Sequence, residues 1–149
     1  MARVLLAYAA LAATLACGAR GDAQDVDVAS AVASQFLVQL DRGAAAEAWP
    51  ALAAPLRANA PEAGWPQQIA RMRAPLGRPV ARQLASALFT ETLAGAPPGR
   101  YFVIEYDAQF SDAACVERVV AMLEHGAWRV AGYVIHDTRP HPARSAAPR

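Results

Sequence analysis

The apolar positions fall into two regimes. From Asp25 the stretch DVDVASAVASQFLVQLDRG sets Val28, Val32, Phe36 and Leu40 at steps of four, with acids in the first turn and Gly43 just past the end. That spacing gathers one stripe and predicts an amphipathic helix with start and stop signals. AAAEAWPALAAPLRANA offers Trp49, Leu52 and Leu56 at helical spacing, with Pro50 and Pro55 expected to shorten or bend it. PEAGWPQQIARMRAPLG aligns Trp65, Ile69 and Met72, with Pro66 suited to a first-turn position. Three short helices are expected.

After Gly77 the period changes. RPVARQLASALFTETL, RYFVIEYDAQF, ACVERVVAMLE and AWRVAGYVIH have strand length and are rich in aromatic and β-branched residues. AGAPPG, SDA and HG separate them, and such short connections demand antiparallel neighbours. The expected fold class is α+β: N-terminal helices packed on one face of a four-stranded antiparallel meander. Turn positions set the register, and a slip of one residue moves every side chain to the other face. This register places Leu84, Leu88, Phe102, Ile104, Tyr106 and Phe110 on one face and Phe89, Glu91, Glu105 and Asp107 on the other. Across HG, Val119, Ala121, Leu123, Trp128, Val130 and Val134 join the apolar face, together with Glu117. Arg118, Glu124 and Arg129 take the opposite face.

The register decides which acids matter. Glu105 and Asp107 fall on the polar side of a half-solvated sheet, where alternation alone explains them. Glu117 points beneath the helices, so it must be paired, hydrogen-bonded or neutral. Arg71, Arg73 and Arg82 are its candidate partners.

The N-terminus reads as a targeting segment. MARVLLAYAALAATLACGARGDAQ places one arginine ahead of an apolar run from Val4 to Ala16, which gives way to small residues. The run is shorter than the roughly 20 apolar residues of a spanning helix. GDA ending at Ala23 suits ordinary signal peptidase, while TLAC ending at Cys17 resembles a lipoprotein box that departs from the usual pattern at Thr14 and Leu15. The expected organisation is a signal peptide over 1–23, one α+β domain over 24–138 and a disordered tail over 139–149. The expected location is periplasmic or secreted, with a lipid anchor at Cys17 as the alternative. No membrane-spanning segment is expected in the mature chain.

Composition narrows the chemistry. All 14 basic residues are arginines. Cleavage after Ala23 removes Arg3, Arg20 and Asp22 and leaves 12 arginines against 12 acids, three of those arginines lying beyond Thr138. The folded part then carries 9 against 12 and lacks the basic stripe that nucleic-acid binding needs. Cys115 has no partner for an internal disulfide and reads as a small buried apolar side chain. His136, Asp137 and His141 are separated by proline and do not make a ligand set. Neither a metal nor a cofactor is expected, and no phosphate loop or serine elbow occurs.

RAPLG from Arg73 to Gly77, Arg82, the GAPPGRYFVIEYDAQF hairpin, Glu117 and WRVAGYVI from Trp128 to Ile135 occur in that order, with Trp49 and Trp65 in the helices. Together they resemble the domain of unknown function 4019 family of bacterial exported proteins. Ala94 and Pro98 depart from that family's pattern, both in one loop. The resemblance implies a small exported domain with no assigned activity, so it carries no catalytic residues over. Helices followed by a meander also look like the cone-shaped cystatin-like or nuclear transport factor two-like architecture, which hosts both enzymes and binding modules.

The resulting reading is a non-enzymatic module that binds a partner protein or small ligand in the hollow between helices and sheet. Its ligand-binding residues would be Trp65, Arg82, Tyr106 and Glu117. The alternative is an enzyme of the cone-shaped class with Glu117 as general base in an apolar cavity.

Overall fold

The computed structural model describes residues 12–140, with side chains described for 23–136, 138 and 139. Helix α1 (Ala12–Asp41) is followed by a 3-10 turn (Trp49–Ala51), α2 (Ala54–Asn59), a second 3-10 turn (Glu62–Gly64), α3 (Trp65–Arg73) and a third (Ala74–Leu76). The strands follow: β1 (Pro79–Thr90), β2 (Tyr101–Phe110), β3 (Ala113–Glu124) and β4 (Ala127–Pro140). They form one antiparallel sheet in the order β1-β2-β3-β4, so the α+β meander is present. Strand β4 continues to Pro140, into the stretch assigned to the tail; the remainder of that stretch lies outside the described residues.

The prolines act as the sequence required. Pro50 and Pro55 divide the second apolar stretch into a 3-10 turn and a six-residue helix, each with proline in its first turn. Pro66 occupies the first turn of α3, where its missing N–H costs nothing. Helix α1 is rotated from the expected stripe. Ala29, Ala33, Phe36, Leu37 and Leu40 are buried, while Val28 is exposed. Alanines at 29 and 33 present little bulk on the face that meets the sheet, and Phe36 and Leu37 fill the space beyond them.

Strand β2 has no bulge against β3, and its even residues Phe102, Ile104, Tyr106, Ala108 and Phe110 are buried under the helices as the register required. The outer strands differ because the pairing of each is interrupted by two register shifts. A bulge between Leu84 and Ser86 turns the rest of β1 over, so Phe89 pairs with Phe102 and Leu88 pairs with Val103 on the outer face. Leu88 is therefore 65% exposed, and Leu84, at the uncovered edge, is 50% exposed. A bulge opposite Val120 and Ala121 does the same in β4: Tyr133 and Ile135 turn inward, and Val134 lies opposite Arg118 on the outer face. Leu84, ahead of the bulge and opposite Tyr106, keeps the expected face; the inward placement expected for Leu88 and Val134, and the outward placement expected for Phe89, are corrected.

Two apolar clusters result. The larger joins α1, Trp65, Ile69 and the middle of the sheet; the smaller gathers Leu76, Ala108, Phe110, Ala113, Cys115 and Ile135. The smaller is closed by Gly77, whose φ of 77° places it where a Cβ would collide with the Ser111 and Asp112 side chains. Backbone bonds from Ser111 N to Arg78 O (2.8 Å) and from Asp112 N to Leu76 O (3.0 Å) fasten this corner to the β2–β3 turn. The opposite hairpin uses His125 and Gly126, both at positive φ, the two-residue turn whose twist matches the strands.

Candidate functional site

Glu117 stands between these clusters. Its β3 neighbours on the same face are Cys115 and Val119, and the residue is 0% exposed. A dry carboxylate needs donors for both oxygens. Oε1 accepts from Arg73 Nη1 at 3.0 Å and from the Tyr133 hydroxyl in a short bond. Oε2 accepts from Arg82 Nε at 2.7 Å and pairs with Nη2 at 2.6 Å. The two guanidinium groups then meet Asp41: Arg82 Nη1 donates to Oδ2 at 2.7 Å, Nη2 donates to Oδ1 at 3.0 Å, and Arg73 Nη2 donates to Oδ1. Arg73 Nη1 also reaches the Tyr133 oxygen at 3.0 Å, and its guanidinium carbon lies 5.2 Å from the Phe110 ring centroid.

The cluster is a closed, neutral ring of two acids and two arginines with one phenol. Each member comes from a different element: Asp41 ends α1, Arg73 ends α3, Arg82 lies in β1, Glu117 in β3 and Tyr133 in β4. Burial works to raise the Asp41 carboxyl, but the hydrogen bond and charge of Arg82 with those of Arg73 outweigh it and hold it below its ordinary value. Burial works to lower Arg82, and Asp41 and Glu117 reverse this and raise it. Burial, then the charge of Glu117, raises the Tyr133 phenol well above its usual range. The same two causes push the Cys115 thiol up to about 11, so it is an inert thiol, not a nucleophile.

The four residues expected to bind a ligand have these positions. Arg82 and Glu117 belong to the ring. Tyr106 lies opposite Glu117 on β2, is buried, and donates to Ser30 O at 3.5 Å. Trp65 is buried against Phe36 and Trp49, and its indole N–H donates to Ala45 O at 2.9 Å. Of the arginines named for Glu117, Arg71 is exposed and bonds to Gln67 O instead. Glu105 is on the outer face, bonded by Arg118 Nη2 at 2.6 Å, and Asp107 is exposed there too. His136 Nε2 is 3.6 Å from Glu105 Oε1. His141 is outside the described residues, and among those described no group of three or more His, Cys, Asp or Glu could hold a metal.

Asp41 and Tyr133 escaped the sequence reading. Asp41 left a signal: it is an acid at the negative end of a helix whose last turn has no basic residue, a costly position unless cations wait beside it. Tyr133 left none, since the bulge that turns it inward has no mark in the sequence.

A groove of about 620 Å³ runs along α1 beside β4, lined by Val28, Val32, Phe36, Gln39, Trp128 and Arg129 among others. Gln39 Oε1 is buried there without a hydrogen-bond partner among the described residues. No helix among these residues is long and apolar enough to cross a membrane.

A small α+β domain locked by a buried ionic ring is the class that fold and site define. The chain belongs to the family described as protein of unknown function (DUF4019), whose model matches residues 32–133 and so includes all five members of the ring. No curated protein and no solved structure matches it.

Proposed function

We propose that this chain is an exported, non-enzymatic binding module of the periplasm or cell envelope. The observation that carries the non-enzymatic part is the saturation of Glu117. A general base needs a free lone pair facing a substrate. Both oxygens of Glu117 are instead held by Arg73, Arg82 and Tyr133, and the residue is wholly buried. Arg82, Glu117, Tyr106 and Trp65 serve this reading as the frame that fixes the helices on the sheet.

Binding is assigned to the groove along α1. Its volume lies in the range of small-ligand sites, and a mainly apolar lining with a few polar groups, here Asp27, Gln35, Gln39 and Arg129, is the usual composition of such a site. The expected occupant is a small apolar molecule, or an apolar side chain of a partner. Export is supported by the arginine and apolar run at the N-terminus and by the small residues of GDA. It is supported also by where α1 begins its contacts: Ala23 and Gln24 are exposed, whereas Asp25 pairs with Arg100 at 2.6 Å and accepts from Trp128 Nε1 at 3.3 Å.

The test is an amide and side-chain NMR titration of the full chain with the apolar probe 1-anilinonaphthalene-8-sulfonate. Shifts centred on Val28, Val32, Gln39 and Trp128, abolished by Val32→Asp, are expected. Shifts centred on Glu117 and Tyr106, or none in the groove, would overturn the assignment.

A further inference from the structure

Among the described residues strand β1 is paired on one side only, with β2. Four of the large apolar side chains exposed in this protein lie on it: Val80 (67%), Leu84 (50%), Leu88 (65%) and Phe89 (40%). An open strand edge presents unpaired N–H and C=O groups, and proteins that remain single usually guard such an edge with charge. Here the one charged side chain between Val80 and Thr90 is Arg82, which is engaged with Asp41 and Glu117.

Beyond the bulge, Ser86 to Thr90 is a regular five-residue segment with no charge. Leu88 terminates an apolar row that crosses the outer face through Val103, Val120 and Gly132. On the inner face Phe89 packs on Phe102 with ring centroids 5.4 Å apart, and Ala87 beside it is small. We propose that β1 pairs antiparallel with β1 of a second copy over Ser86–Thr90, joining two four-stranded sheets into one, with Leu88 facing its counterpart on the two-fold axis.

In that register Ala87 lies opposite Phe89 of the second copy, a small residue against an aromatic ring, and Ser86 lies opposite Thr90. The apolar row of the outer face then continues unbroken from one sheet into the other. No like charges meet, and the interface is isologous, so it closes at two copies. A foreign strand gains nothing from this symmetry, and the backbone segment Ser86–Thr90 carries no charge of its own by which to select one. The inference is independent of the ligand groove, which lies beside the other edge strand.

The experiment uses the full chain carrying Cys17→Ser, so that the buried Cys115 is its one native thiol. Sedimentation equilibrium is expected to show a concentration-dependent monomer–dimer mass. Leu88→Lys should abolish the dimer without altering the far-UV circular dichroism melt, and Val134→Lys, on the outer face of β4, should leave it intact. Leu88→Cys should form an intermolecular disulfide under mild oxidation, since residues directly opposite in antiparallel strands lie about 4.5–5.5 Å apart between Cα atoms, within disulfide reach. Val80→Cys, equally exposed but roughly 50 Å from its counterpart in this register, should not. A monomer at every concentration, a dimer that survives Leu88→Lys, equal crosslinking at 80 and 88, or an edge that takes only an extended peptide of another protein would each overturn the proposal.

Discussion

Glu117 and Glu105 are both strand carboxylates bonded by arginine, and they differ in water. Glu105 keeps its partner Arg118 on the wet face, where an ion pair contributes at most about 1 kcal/mol. Glu117 has none of that screening, and its neutral substitute would leave two guanidinium groups sharing one acid. Glu117→Gln is therefore expected to lower the unfolding free energy by about 3–5 kcal/mol in urea denaturation. Glu105→Gln should cost under about 1 kcal/mol in the same assay. Equal losses at the two positions would remove the case for the ring.

Titration follows the same residues. Asp41 is held below its unfolded value of 3.8, so its ionised form stabilises the fold above that value and the contribution is lost as pH falls through the folded one. Cys115, raised from 9.0 to about 11, and Tyr133, raised from 10.0, have the opposite sign. Their contribution is complete below the unfolded values and is lost as pH climbs past them. The melting temperature should fall below about pH 4 and again above pH 9, and Cys115→Ala should remove part of the alkaline loss between 9 and 11. A melting temperature unchanged from pH 7 to pH 11 would contradict this.

At the scale of elements, proline and periodicity made the helices legible and short connections made the meander legible. Register was legible only while it ran without interruption. Strand β2 matched throughout, whereas β1 and β4 were correct up to one extra residue and inverted beyond it. A bulge shifts a strand by one position at little local cost, and neither Ala85 nor Ala131 differs from the alanines around it. Glu117 could be placed because β3 alternates regularly against β2; Tyr133 could not, because it lies past the bulge. Asp41 lay within reach of a helix-dipole argument. Gly77 is an element-scale joint, and its test belongs here: Gly77→Ala combines a positive φ with a collision against Ser111 and Asp112. An expected cost of at least about 1–2 kcal/mol follows from the conformation alone, readable by thermal melting. A neutral result would mean that the corner rearranges freely.

For the molecule as a whole, the ring does what two separate apolar clusters do not. It gives α1, α3 and three of the four strands a shared set of bonds, each directional, so the helical layer has one orientation on the sheet. Sliding it by a turn would leave buried charges unmet. Its neutrality also explains how so many ionised groups share so little space.

Asp41 and Tyr133 bracket nearly the whole domain, and this has a temporal consequence. A chain emerging from a ribosome presents Asp41 first, then Arg73 and Arg82, then Glu117, and the phenol last. Until β4 is made, Glu117 Oε1 lacks the donor that Tyr133 supplies. The ring is therefore closed only by the last strand of the chain.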